Sequence, residues 1–167
     1  MRPQAKAWPD PAAVRALIAS EIMGWREVRW IEDHAGRTWL GGIAPTEGES
    51  LGEPGPRSTY TPVPNYPEDI AAAWGVVEKL QGLNYIIRLW SPNEYSWTAQ
   101  VPAGEWECAV WKFVDKRTEQ VVSPLEVPKR QYREITATGR APDAAMAICL
   151  AALEALGVGA STAASDL

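Results

Sequence analysis

The chain is poor in the residues on which most site chemistry depends. Among 167 residues there is one histidine, His34, one phenylalanine, and two cysteines, Cys108 and Cys149. The cysteines lack the paired spacing of a zinc or redox motif. Cys108 falls in a strand pattern and Cys149 in an apolar helix, so both are expected as buried thiols. No apolar run approaches the roughly 18 residues of a membrane-spanning helix, and no leader-like segment opens the chain. Basic residues are not in excess: 16 Lys and Arg stand against 21 Asp and Glu, a formal charge of −5. That balance speaks mildly against general nucleic-acid binding and allows a partner with a basic surface. The patterns G-x-S-x-G, P-loop, H-E-x-x-H and C-x-x-C are missing. The composition thus predicts no cofactor, no metal, no membrane anchorage and no direct contact with nucleic acid.

What is present reads as an ordinary soluble core. Apolar residues make up 46% and charged residues 22%, which fits one globular domain with a full interior. The expected layout is a flexible arm over 1–9, a single α+β domain over 10–157, and a disordered tail over 158–167. A long Gly/Pro-rich loop over 44–62 interrupts the domain.

Local signals place the elements. Asp10-Pro11 opens a first helix, with Asp10 as N-cap and proline in the first turn. Val14, Leu17, Ile18 and Ile22 form its stripe, and Gly24 suits a left-handed cap. Trp25–Ile31 and Arg37–Ile43 alternate as two strands of a hairpin about the turn at 33–36. Pro67 fits the first position of a central helix, with Glu68 and Asp69 at the positive end of its dipole. Ile70, Ala73, Trp74, Val77 and Leu80 recur at helical spacing and predict its buried face. Gly82 is its expected C-terminal cap, and Gly75 inside it leaves room for another backbone.

Strands are expected at Leu83–Ser91, over Tyr95 to Val101, and at 106–113. The last is apolar on both faces, hence central. Weaker strands are expected at Glu119–Leu125 and Gln131–Thr138. A small-residue helix over about Pro142–Leu156 closes the domain, capped by Gly157. Three helices on a mainly antiparallel sheet give a layered α/β sandwich of the α+β class.

Three segments carry a family likeness. The run Asn65-Tyr66-Pro67-Glu68-Asp69-Ile70-Ala71-Ala72-Ala73-Trp74-Gly75-Val76-Val77-Glu78-Lys79-Leu80 resembles the signature P-x-Y-S-T-D-I-A-A-A-W-x-V-V-E-K-L of the phage ABA sandwich domain family. Glu21-Ile22-Met23-Gly24-Trp25 is similar to that family's early V-M-G-W motif, and Ala141 to Leu153 is similar to its last helix. The family's Ser-Thr is Pro67-Glu68 here, and its arginine in the last helix is Leu150. The resemblance implies a helix-and-sheet sandwich of phage or prophage origin. It implies no activity and transfers no functional residue.

Nine tryptophans are the chain's compositional signature. Trp74, Trp106 and Trp111 lie at periodic positions and are expected in the core. Trp8, Trp25, Trp30, Trp39, Trp90 and Trp97 are less constrained, and tryptophan is enriched in binding hot spots because it buries a large area and keeps a donor. The ordinary role of each is core packing or cross-strand pairing. His34 beside Glu32 and Asp33 reads first as a solvated turn residue. Gly41-Gly42 lacks the lysine and hydroxyl spacing of a phosphate cradle.

Three functions follow in order. The first is a phage- or prophage-encoded, non-enzymatic binding protein in the cytoplasm of an infected bacterium. It would inhibit a host component, such as a defence complex, by protein–protein occlusion. Its contact residues would be Trp30, Trp39, Glu47, Glu49, Glu53, Arg57 and Tyr60, with a host protein as partner and a homodimer as the default assembly. The second is a binder that sequesters nucleotide signals, with Trp97 stacking on a base and Arg130 and Arg133 holding phosphate. The third, an enzyme using Glu68, Asp69 or Glu78, lacks recognisable partner groups.

Overall fold

The computed structural model describes residues 8–45, 60–96, 99–114 and 132–158. Helix α1 spans Pro11–Leu17, and Asp10 caps it as the sequence predicts, its carboxylate accepting from the Ala12 N–H at 3.1 Å. The helix then widens into a π-helical turn, Ile18–Ile22, in which Met23 N–H donates to the Ile18 carbonyl. Gly24, at φ 74°, ends it in the left-handed conformation. The widening is not written in the apolar spacing, because one extra residue per turn leaves Ile18 and Ile22 both buried.

Among the described residues two three-stranded antiparallel sheets follow, where the sequence suggested one. The first joins β1 (Arg26–Glu32), β2 (Thr38–Ile43) and the short β3 (Thr61–Pro62). The second joins β4 (Tyr85–Trp90), β5 (Trp106–Val114) and β6 (Tyr132–Ala141), with β5 central as its two apolar faces predict. The described residues of the segment 95–101 do not join this sheet. Tyr95 and Gln100 make an isolated bridge, and Val101 folds in to be buried.

Helix α2 runs Ile70–Gly82, starting three residues later than Pro67. Asp69 is its N-cap, accepting from Ala71 N–H, and Pro67 lies buried in the preceding turn. At the other end Asn84, at φ 64°, takes the left-handed position expected of Gly82; asparagine tolerates that region better than most side chains. The buried face is Ala73, Val76, Val77 and Leu80, whereas Ile70 and Trp74 are exposed. Ala73, Val77 and Leu80 of the expected stripe are thus buried, and Val76 takes the place of Ile70 and Trp74 on the face that α2 turns to α3 and β4.

Helix α3, Ala144–Ala155, is capped by Asp143, whose carboxylate accepts from Met146 N–H at 2.7 Å. It is apolar nearly all round. It packs on β5 and β6 and against α2, with Ile148, Cys149, Ala151, Ala152 and Leu153 fully enclosed. Gly157, at φ 74°, closes the helix as predicted.

One hydrophobic core gathers these elements. Val14 enters from α1, Ile18 from the π-helical turn, Leu40 from β2, Val63 from just after β3, Val76 and Leu80 from α2, Cys108 and Val110 from β5, and Leu153 from α3. Each large aliphatic side chain so buried contributes about 1.5–3 kcal/mol relative to exposure. A smaller cluster lies on the opposite face of β5, where Trp90, Val101 and Ala109 pack with Trp111. Beside it Glu107, 3% exposed, is ion-paired to Arg140 across β5–β6.

Candidate functional site

The β1–β2 hairpin carries two of the sequence-predicted contact residues, Trp30 and Trp39, and a third, Tyr60, reaches it from the start of β3. Trp30 pairs with Leu40, and Ile31 pairs with Trp39. Strand alternation sends these two pairs to opposite faces. On the inward face Leu40 is buried in the core, yet Trp30 opposite it remains 49% exposed. On the outward face the Trp39 ring and Ile31 lie over Gly41. A Cβ built at Gly41 would stand 2.3 Å from the Trp39 ring and 2.5 Å from Ile31 Cδ1. Gly41 and Gly42 are therefore buried sheet floor, not a phosphate cradle.

Tyr60 leads into β3 at the edge of this floor. Its hydroxyl donates to the Glu27 carboxylate, and the Arg29 guanidinium sits 4.7 Å from its ring centroid. The bond to Glu27 and partial desolvation hold the Tyr60 phenol above its usual range. Glu27 reaches that position from a bulge: one extra residue separates Arg26 and Arg29 against β2, and Glu27 takes φ 52°. A bulge re-aims the side chain it carries. The hairpin thus shows an exposed indole on one side and an aromatic–aliphatic platform, flanked by a carboxylate and a guanidinium, on the other. Glu27, Arg29 and Ile31 were missed in the sequence, although they alternate with Val28 and Trp30 and so share one face.

The other expectations are dispersed. Glu47, Glu49, Glu53, Arg57, Trp97 and Arg130 lie outside the described residues, as does the strand expected at 119–125. Arg133 pairs with Phe113 across β5–β6 at the backbone. Trp74, expected in the core, is 52% exposed, while Trp106 and Trp111 are partly buried. Among the described tryptophans Trp90 is the most deeply placed, meeting Trp111 edge-on with ring centroids 5.8 Å apart.

The titratable groups do structural work. Asp33 accepts from the N–H groups of Ala35 and Arg37 and pairs with the Arg37 guanidinium. These bonds hold its carboxyl below the usual range and fix the hairpin turn. His34, in the same turn, is exposed. Asp69 is spent as a helix cap, and Glu68 accepts from Asn65 Nδ2 at 2.7 Å. Arg15 donates to the carbonyls of Val63 and Pro64, tying α1 to the chain entering α2. Burial pushes the Cys108 thiol up to about 12, and the Cys149 thiol is raised further. Among the described residues no group of three His, Cys, Asp or Glu side chains is placed to hold a metal, and no helix is long and apolar enough to cross a membrane.

Comparison with known proteins bears on the fold. The family model described as the phage ABA sandwich domain matches residues 16–153. A solved structure, described as the 2.0 Å crystal structure of a phage protein from Bacillus cereus ATCC 14579, is similar at 22% identity. The match covers 92% of this chain and 93% of that one, with a TM-score of 0.46. Among curated proteins nothing matches.

Proposed function

The chain belongs to the phage ABA sandwich domain family, and from that premise we propose that it works as a non-enzymatic binding protein that occludes a host component. The β1–β2 hairpin is the contact element. The observation that carries this reading is Trp30, left 49% exposed directly opposite the buried Leu40. An indole in that position gives up burial free energy of about 25 cal/mol per Å² of apolar surface. A partner that encloses it recovers that energy, which is why tryptophan dominates binding hot spots.

The other side of the hairpin supports the same role. Trp39 and Ile31 form a flat apolar centre, and Arg29 and Glu27 stand at its margin. An apolar centre with a charged rim is the usual anatomy of a protein interface. The host partner would be a cytoplasmic bacterial protein, such as a subunit of a defence complex whose working surface the hairpin blocks.

Affinity capture from lysate of a susceptible host tests this reading. The intact chain should retain a specific host protein that Trp30→Ala and Trp39→Ala chains release. Retention unaffected by both substitutions would move the contact off the hairpin and sink the proposal.

A further inference from the structure

Glu27 stands where glycine is the ordinary choice. Its φ of 52° lies in the left-handed region, inside the bulge between Arg26 and Arg29. A bulge with a residue in that conformation ordinarily carries glycine there, because a Cβ crowds the following carbonyl oxygen. The other non-glycine residues with positive φ, among those described, are Asn84 and Asn93. Asparagine tolerates the region and glutamate does not, so the backbone gives no reason for Glu27. Its side chain does: the carboxylate accepts from the hydroxyl of Tyr60, 33 positions along the chain. The ring of the same Tyr60 backs the Arg29 guanidinium at 4.7 Å, a cation–π distance. Arg29 has no other cross-strand support, since its partner on β2 is Gly41, which offers no side chain.

We propose that Glu27 is a positioning residue of the hairpin: through Tyr60 it holds the Arg29 guanidinium in the place it takes in the complex with the host partner. That role, which rests on the hairpin being the contact element, accounts for a strained backbone kept at its margin. Strain at a non-glycine residue persists where its surroundings fix it, and it gathers at sites of function. An arginine side chain carries much rotamer freedom, and ordering it on binding costs affinity. Glu27 and Tyr60 order Arg29 in the free chain, so the complex forms without that cost. Glu27 acts whether or not it meets the partner itself, and it acts as a hydrogen-bond acceptor rather than as a charge. Glu27→Gln, which keeps an acceptor oxygen and removes the charge, therefore preserves the arrangement, and Glu27→Ala does not.

Two measurements on the full chain test the proposal. In the free chain, nuclear magnetic resonance should find the Arg29 side-chain protons shifted upfield by the Tyr60 ring. Glu27→Ala and Tyr60→Leu should each return them toward the open-chain position, with unchanged circular dichroism, and Glu27→Gln should hold most of the shift. Against the host protein retained by the wild type, Glu27→Ala and Tyr60→Leu should each raise Kd by about three- to tenfold, and Glu27→Gln by less than about twofold. Glu27→Gly should bind as weakly as Glu27→Ala yet unfold at a higher urea concentration, because glycine relieves the backbone while the carboxylate is still missing. Arg29 protons unmoved by Glu27→Ala would overturn the proposal. So would undiminished affinity of Glu27→Ala for a host protein that Trp30→Ala and Trp39→Ala release, and that result would leave the hairpin as the contact element. A wild type that retains no host protein, with the Arg29 protons moving as expected, would instead remove the binding role of the hairpin and keep Glu27 as the residue that positions Arg29.

Discussion

Gly139 of β6 and Ala151 of α3 touch backbone to backbone. A Cβ built at Gly139 would lie 2.4 Å from the Ala151 nitrogen and 2.3 Å from the Ala147 carbonyl oxygen. No rotamer relieves that contact, because both neighbours are main chain. The close approach lets α3 press on the second sheet along a seam of small residues and enclose Cys108 and Val110 beneath it.

Gly139→Ala should therefore cost about 3 kcal/mol or more, the upper range for overpacking a core. Gly82→Ala, at a helical position with nothing within 4 Å of the added carbon, should be neutral or stabilising by up to about 1 kcal/mol. Urea denaturation of the two variants checks both signs at once. Equal effects would mean that α3 does not rest on β6 as described.

The buried acid on the other face of the sheet makes a second prediction. Glu107 is enclosed while Arg140 stays partly exposed. Removing the arginine strands a buried carboxylate, whereas removing both charges does not. Arg140→Ala should cost about 2–3 kcal/mol, less than a fully enclosed pair because water screens the guanidinium. The double variant Glu107→Leu/Arg140→Leu should recover most of that loss. A thermal-melt comparison decides it, and a double variant no better than the single would count against the ion pair.

The thiols set a third. Cys108 titrates near 12 in the fold and Cys149 is also raised, mainly through burial, against about 8.5 in an open chain. A raised folded value means stability that is complete below pH 8.5 and is lost as pH climbs through the folded values. The slope is about 1.4 kcal/mol per pH unit for each thiol. Cys108→Ala/Cys149→Ala should flatten the decline between pH 9 and 11 measured by denaturant titration. In the wild type at pH 8, alkylation should follow global opening; rapid labelling of either thiol would contradict their enclosure.

Much of this architecture was legible beforehand, and the failures share a cause. Caps and turns are local, so Asp10, Gly24 and Gly157 declared themselves. The double-sided apolar pattern of β5 likewise announced a central strand. Trp74 misled because periodicity counts apolar residues without regard to size. Val76 joins Ala73, Val77 and Leu80 on the buried face, and the indole lies outward. The bulge at Glu27 and the π-helical turn at Ile18–Ile22 insert single residues, which periodic reading absorbs silently. Of the candidate site, the tryptophans Trp30 and Trp39 could be nominated by composition. The Glu27–Tyr60–Arg29 cluster could not, because it joins positions some thirty residues apart.

The aromatic pair on the second sheet offers a spectroscopic check. Trp90 and Trp111 meet at 66° with centroids 5.8 Å apart, close enough for their transitions to couple. Trp111→Phe should remove the exciton couplet that two indoles add to the far-ultraviolet dichroism while leaving the helical bands beneath it intact. A spectrum unchanged by that substitution would mean that the two indoles do not share this geometry.

The most direct measurement on the binding role is hydrogen exchange of the chain, alone and with the host protein it captures. Exchange should slow across β1 and β2, around Trp30 and Trp39, and stay unchanged in the enclosed α3. Protection confined to other elements, with the hairpin exchanging as freely as before, would contradict the assignment of that hairpin as the contact element.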